Sequence, residues 1–230
     1  MLLVSGCSYL ENNFFSNLFY SIRCNGKNLT CLARSGAGNQ YIADSILNNL
    51  NQQVTEIFVL WTGFNRVDIS ISKDINFETI KPWHKTQVNH TTWLHSGGLQ
   101  GGLSSDELPS WLDNYLKYQY LPLDWNYLID QNLRHVVGCL NTLEKLGINY
   151  AFGFIYNIYQ DYSDRFFLGG AVPRDHYLLK AIDWSKCVSI TPYEYCLKNN
   201  LMHTDNIHPS DKGYQTWWNQ IQKELPFQLT

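Results

Sequence analysis

The sequence predicts an α/β fold: a three-layer sandwich in which a central parallel sheet of about five strands carries helices on both faces. Three observations point there. Short apolar runs, Leu2 to Val4 and Ile57 to Trp61 among them, lack the alternation of a half-exposed strand, and strands covered on both faces read that way. Segments with helical spacing separate these runs, and strand-helix alternation argues for parallel pairing with helical crossovers. Glycine-bearing turns follow the strands, Gly6-Cys7-Ser8 after the first and Thr62-Gly63-Phe64-Asn65 after the third.

The first strand is read at Leu2 to Ser5. A helix is expected over Leu10 to Ile22, with Phe14, Phe15, Leu18, Phe19 and Ile22 on one side. Asn25-Gly26-Lys27-Asn28 is a turn, Leu29 to Ala33 the second strand, and Arg34-Ser35-Gly36-Ala37-Gly38-Asn39 a glycine-rich loop. Ile42, Ile46, Leu47 and Leu50 mark the next helix, and Glu56 to Trp61 is the third strand. Leu133, Val136, Val137, Leu140, Leu143 and Leu146 define an amphipathic helix that Gly147 stops. Ile148 to Tyr156 is the fourth strand, 157 to 186 reads as irregular and aromatic, and Cys187 to Ile190 is a short fifth strand. The last helix starts at an N-cap near Ser210 and carries the stripe Tyr214, Trp217, Trp218, Ile221 and Leu225.

Between about 66 and 125 the periodicity weakens into glycine pairs and isolated aromatics. This is read as a long insertion over one end of the sheet in a single domain spanning residues 1–230. Stretches of this length are functional lids or hold short elements of their own. A chain of 230 residues is large for one domain but within range.

The net charge of −3, with no basic run, argues against nucleic-acid partners held by charge. No run approaches the roughly 20 apolar residues of a membrane helix. The apolar start after Met1 is too short, and lacks the basic flank, for a signal peptide. The default expectation is the cytoplasm of the producing cell, with a virion or lysis-released protein reading the same way. None of the six cysteines (Cys7, Cys24, Cys31, Cys139, Cys187, Cys196) forms a C-x-x-C pair, so no thiolate zinc site is expected. They read as small buried hydrophobes, and spacing alone does not show whether Cys24 and Cys31 pair.

Four pieces carry chemistry together: Gly6-Cys7-Ser8, Ser35-Gly36-Ala37-Gly38-Asn39, Thr62-Gly63-Phe64-Asn65, and Asp205-Asn206-Ile207-His208-Pro209. In a parallel α/β sheet, ligands bind at the carboxyl ends of the strands, and the first three pieces each follow a strand. Attack by a serine hydroxyl needs a base within hydrogen-bond reach, a role that a neutral imidazole fills. The imidazole needs a partner to fix its tautomer, and the reaction needs donors aimed at the developing oxyanion. Ser8 is the candidate nucleophile, His208 the base and Asp205 its orienting partner. The backbone N–H groups of Ser8 and Gly36 and the Asn65 side-chain amide are the candidate oxyanion donors. Gly38 is a rival to Gly36.

In these four blocks the chain resembles the SGNH (GDSL) hydrolases. That family has Gly-Asp-Ser near the N-terminus, a loop glycine after the second strand, Gly-x-Asn-Asp after the third, and Asp-x-x-His near the C-terminus. The chain offers Gly6-Cys7-Ser8, Gly36, Gly63-Phe64-Asn65-Arg66 and Asp205-x-x-His208 in the same order, spanning residues 5 to 213. The resemblance implies a flavodoxin-like sandwich, Ser8 as nucleophile, Gly36 and Asn65 as oxyanion donors, Asp205 and His208 completing the triad, and no metal or organic cofactor. Cys7 and Arg66 depart from the pattern, each standing where the family has Asp, so local bonding around these turns must differ.

Taken singly, Ser8 reads as a turn or cap residue, Asn65 as a loop residue and Asp205 as a turn cap; their joint order at strand ends carries the reading. His84, His90 and His95 are spaced six and five apart, not as the i, i+4 pair of a helical metal site. A solvated loop is the plainer account, or a loop that places a histidine or Trp93 over the Ser8 pocket. Trp61 either floors that pocket or packs in the core, and Tyr156 to Phe167 is open to the same two readings. Cys7 should face the core if Ser8 faces the pocket, because adjacent residues at a strand end point oppositely.

The expected activity is serine ester hydrolysis on a small-molecule or carbohydrate ester, with a lean to small acyl groups such as acetyl. Two other readings share the fold: an idle glycan-binding module, which an activated-serine probe would not label, and an acyltransferase, which would form product only when an acceptor outcompetes water.

Overall fold

The structure is a computed structural model, and it describes residues 1–26, 28–72, 85–88, 91–95, 114, 124–162 and 170–227. Its centre is a parallel four-stranded sheet. In chain order the strands are β1 (Leu2–Gly6), β2 (Leu29–Cys31), β3 (Glu56–Trp61) and, after a small second sheet, β7 (Asn149–Phe154). Their order across the sheet is β2-β1-β3-β7. All of β1, Ile57 to Trp61 of β3 and Tyr150 to Phe154 of β7 are buried, which is why these segments are apolar without alternation. The polar exception in β1, Ser5, bonds Ser45 Oγ at 2.8 Å and so carries no unmet hydroxyl into the core.

The described α-helices include α1 (Asn13–Cys24), α2 (Asn39–Leu47), α3 (Trp125–Lys145), α4 (Pro192–Lys198) and α5 (Asp211–Ile221). Crossovers between parallel strands are right-handed. The chain steps from β1 to β2 on one side and from β2 back past β1 to β3 on the other, so α1 and α2 lie on opposite faces. Helix α3 packs on α2, while α1 and α4 pack on α5. The helices that follow neighbouring β1 and β3 therefore leave to opposite faces, which opens a crevice at the strands' carboxyl ends.

The helix expected from Leu10 begins at Asn13. Leu10 and Glu11 N–H bond back to the Cys7 carbonyl in a turn, and Asn12 supplies the N-cap, its side chain accepting from Phe15 N–H at 3.0 Å. Gly147 ends α3 as expected: its φ is +66°, its N–H bonds Glu144 O and the Ile148 N–H bonds Leu143 O, a Schellman closure. Ser210 caps α5, accepting from Gly213 N–H at 3.1 Å.

The expected fifth strand at Cys187 to Ile190 is a single parallel bridge to Phe152. Val188 N–H makes one ladder bond, and Ser189 then turns its N–H and hydroxyl to Glu224. Residues 192–198, which the sequence left without an element, form α4, with Pro192 in the first turn where a missing N–H costs nothing. The weakly patterned stretch after Arg66 contains β4 (Asp68–Ser72), β5 (Lys85–Val88) and β6 (Thr91–His95), an antiparallel sheet in the order β4-β6-β5. Trp93 of β6 is buried, its ring 6.0 Å from that of Tyr41 on α2. His84, His90 and residues 163–167 lie outside the described residues. Cys31 is a free thiol. Among the described residues, no helix is long and apolar enough to cross a membrane.

The contact of α5 with the chain before it is tight at Gly213. A Cβ there would lie 2.4 Å from the Leu201 carbonyl oxygen and 3.1 Å from Cys196 Sγ. Backbone cannot yield cheaply, so Gly213→Ala should lower the unfolding free energy by about 1–3 kcal/mol. A urea denaturation curve checks this, and an unchanged midpoint would show that the α4–α5 junction yields.

Candidate functional site

At the last residue of β1 the neighbours leave no room for a side chain, which is why a glycine, Gly6, stands there. A Cβ would sit 3.0 Å from the Leu60 carbonyl oxygen of β3 and 2.9 Å from Leu10 Cδ1. Cys7 then turns into the core, fully buried, and Ser8 turns outward, half-buried. The turn back onto the Cys7 carbonyl sets the serine at the carboxyl end of the sheet.

The last helix connection brings the partner. Met202 and Pro209 form an antiparallel bridge, and His203 N–H bonds the His208 carbonyl at 2.7 Å, closing a small loop. Within it Asn206 takes a left-handed φ of +53°, which asparagine tolerates. Asp205 Oδ1 accepts from the N–H groups of Ile207 at 2.8 Å and His208 at 3.0 Å, and Oδ2 lies 2.8 Å from His208 Nδ1. His208 Nε2 lies 3.0 Å from Ser8 Oγ, across 200 positions of sequence. With Nδ1–H donating to Asp205, Nε2 presents its lone pair to the serine hydroxyl. Partial burial acts to raise the Asp205 pKa. The bonds from the His208 backbone and ring and from Ile207 outweigh it, and they hold the carboxyl below its ordinary range.

Gly36 and Asn65 lie on the loops that flank this serine. The β2 loop is stitched to β1 by Arg34 N–H on the Gly6 carbonyl, 3.1 Å. The Ala37 N–H closes a turn on Arg34 O, in which Gly36 takes φ +76° as the third residue; only glycine adopts that without strain. Ser35 N–H bonds the Glu11 carboxylate. The Gly36 and Ser8 N–H groups make no hydrogen bond to the described residues. Gly38 differs: its N–H donates to Asp68 Oδ1 at 2.8 Å, so its donor is already committed.

Asp68 is a residue that sequence reasoning did not single out. Buried at the start of β4, it accepts from Gly38 N–H and Tyr41 N–H, both at 2.8 Å, and so caps α2 from a distant part of the chain. A Cβ on Gly38 would lie 2.7 Å from Asp68 Oδ2, which is why a glycine stands there. Arg66, one of the two departures from the family pattern, is buried and donates from Nη1 to the Ala37 carbonyl at 3.3 Å, so it reaches the same loop.

The β3 loop is held by two more buried amides. Asn39 accepts from Thr62 N–H at 2.9 Å and donates to Thr62 O and to Asn132 Oδ1. Asn132 donates to Phe64 O at 2.9 Å. The loop is thereby gripped on both sides of Gly63, one residue short of the buried Asn65. Asn132 was legible in principle: it falls among Leu128, Leu133 and Val136 on the buried stripe of α3, where an amide needs a partner.

No protein-family model matches the chain, and no curated protein sequence matches it. Among solved structures, it is similar to the psychrotrophic esterase EstA from Pseudoalteromonas sp., in a structure inhibited by monoethylphosphonate. The identity is 11%, 97% of this chain and 94% of that chain are covered, and the TM-score is 0.45.

The depressed Asp205 carboxyl has a consequence for acid stability. In the unfolded chain an Asp titrates near 3.9. A lower folded value means that the unfolded state takes up the proton first as pH falls. The stabilisation from Asp205 is therefore fully present above about pH 4–5 and is lost as pH drops through the folded value. The difference in unfolding free energy between wild type and Asp205→Asn should shrink as the pH falls below about 4. Urea unfolding across that range tests it, and a difference that persists undiminished to about pH 2.5 would contradict it.

Proposed function

We propose that the protein is a serine ester hydrolase. The observation that carries this reading is the continuous hydrogen-bonded chain from Ser8 Oγ to His208 Nε2, 3.0 Å, and from His208 Nδ1 to Asp205, 2.8 Å. In this reading Ser8 Oγ attacks the ester carbonyl carbon and its proton passes to His208 Nε2. Asp205 accepts from Nδ1–H, fixes the tautomer and stabilises the imidazolium. The carbonyl π electrons move to oxygen, and the oxyanion is met by the N–H groups of Ser8 and Gly36 and by the Asn65 amide. Collapse of the tetrahedral species expels the alcohol, which takes its proton from Nε2–H. Water then gives up a proton to His208 Nε2 and attacks the acyl-serine carbonyl carbon; collapse of this second tetrahedral species releases the acid, and the departing Ser8 Oγ takes the proton back from Nε2–H. Each step uses groups of this chain and needs no cofactor.

Support for the oxyanion assignment comes from the loops. The Gly38 N–H is occupied by Asp68, whereas those of Gly36 and Ser8 are uncommitted among the described residues. The loop that carries Asn65 is held by Asn39 and Asn132 before any substrate arrives, the preorganisation on which this kind of stabilisation depends. Cys7, next to the serine, is fully buried and is not the nucleophile in this scheme.

For the substrate we propose small acyl groups, such as acetyl on a carbohydrate or another alcohol. The support is the aromatic-rich, glycine-broken sequence between 66 and 125, and the lack of any long apolar segment in the chain to hold an extended acyl tail.

The wild type should hydrolyse p-nitrophenyl acetate at pH 8 and react with a fluorophosphonate. Ser8→Ala and His208→Ala should each lose at least about 10³-fold in kcat/KM while staying folded by circular dichroism. A Ser8→Ala protein that keeps its rate would remove the assignment, and a wild type that is neither active nor labelled would favour a binding module. Across p-nitrophenyl esters, acetyl should turn over faster than octanoyl, and the reverse ranking would remove the small-acyl reading. Product that appears only with a sugar acceptor would mark a transferase.

A further inference from the structure

Ser8 and His208 lie 200 positions apart, on a turn after β1 and on a loop before α5. A single part-buried hydrogen bond of 3.0 Å does not hold two such segments in register, since a net bond of this kind contributes only about 1 kcal/mol. A second tie exists, and it runs through the residue next to the serine. Tyr9 is buried, 1% exposed, and its hydroxyl donates to the carbonyl of Ile207, the residue next to the histidine, at 2.5 Å. Its ring lies 5.4 Å from the His208 ring, tilted by 46°.

Tyr9 is itself held at its main chain and at its ring. Its carbonyl accepts from Asn12 Nδ2 at 2.6 Å, and the same Asn12 caps α1. The ring meets Tyr214 of α5 edge-on, at 6.0 Å and 89°. The peptide that it grips is held on its other side, where His208 N–H bonds Asp205 Oδ1 at 3.0 Å. Burial raises the phenol pKa well above its ordinary value, so the hydroxyl remains a donor at any working pH.

We propose that Tyr9 is a positioning residue for His208, whose hydroxyl locks the Asp205–His208 loop to the Ser8 turn so that the imidazole stands ready between its two partners. The proposal rests on the ester hydrolase reading for its kinetic consequence, but its structural consequence is independent of that reading. The phenol oxygen and the ring act together: one fixes the main chain beside the histidine, and the other limits the tilt of the imidazole. Without the hydroxyl, the Ile207 carbonyl would be left facing an apolar ring edge, and the loop would sample positions in which Nε2 no longer meets Ser8.

The test is Tyr9→Phe, which removes one oxygen and keeps the ring. The readout that does not need turnover is the His208 Nδ1 proton in the NMR spectrum, assigned by its loss in His208→Ala. It should be visible in the wild type and should exchange with solvent at least about 10-fold faster in Tyr9→Phe. In the ester assay, kcat should fall about 10-fold with KM changed less than about 2-fold, and fluorophosphonate labelling should slow in parallel. Ile46→Val, a core change on α2 remote from this contact, serves as the stability control and should keep both the wild-type exchange rate and kcat. A wild type without a protected Nδ1 proton would overturn the proposal, as would Tyr9→Phe with unchanged exchange or kcat well below its unfolding temperature. An inactive wild type whose Nδ1 proton still responds to Tyr9→Phe would sink the hydrolase reading and leave the positioning role standing.

Discussion

Everything at the candidate site depends on β1 being paired on both edges. Leu2, Leu3 and Val4 face Leu29, Thr30 and Cys31 of β2, and Leu2 to Gly6 face Glu56 to Leu60 of β3. In a parallel ladder that register brings the ends of three strands to the same edge of the sheet, so the turns after them converge there. A strand buried on both faces is also strongly held in register, since slipping would move its hydrogen bonds and its apolar side chains together. The placement of Ser8 beside the Gly36 and Asn65 loops is thus inherited from the core.

Convergence alone does not make loops rigid, and here the sheet passes the task to buried polar groups. A buried amide or carboxylate that lacks partners costs about 1–3 kcal/mol or more, so each such group holds the backbone it bonds with corresponding force. Asn39 and Asn132 spend their capacity on Thr62, Phe64 and each other. Asp68 spends its capacity on the first turn of α2. These groups come from α2, α3 and β4, which means that the loops at the sheet edge are braced from behind by elements that carry no proposed reacting atom. Preorganisation of this kind is what a site needs if its donors are to act without rearranging during a reaction.

The parts of this arrangement that repeat with a period could be read in the sequence. The strand Glu56–Trp61, the stripe of α3 and its Gly147 stop, and the Ser210 cap of α5 stand where periodicity and cap chemistry place them. Ser8, Asp205 and His208, named from four short blocks, are hydrogen-bonded in series. What could not be read depends on long-range partners. Asp68 opens the short alternating run Asp-Ile-Ser-Ile-Ser, which fits a strand but names no partner, and its role exists only because Gly38 and Tyr41 lie behind it. Tyr9 looks like one more aromatic in a chain with fifteen tyrosines, and nothing near it in sequence announces Ile207. Helix α4 is seven residues long, too short to show a stripe, and the bridge at Cys187 has the composition of a strand without a partner register to extend it.

The histidine arm shows how stability and chemistry are joined. Trp217 and Trp218 of α5 meet Phe15 of α1 at ring distances of 6.2 and 5.4 Å, and Tyr214 meets Phe15 at 5.7 Å. These rings are buried, and burying them favours the seating of α5 against α1. Once α5 is seated, its N-cap Ser210 bonds the Leu201 carbonyl through both its N–H and its hydroxyl, which closes the base of the loop that carries His208. His208 is therefore brought near Ser8 by the packing of the helix that follows it, and its final orientation is left to the bonds of Asp205, Ser8 and Tyr9. That division explains why the blocks at either end of the sequence can be so short: the aromatic core supplies the approach, and the motif residues supply only the last few ångströms.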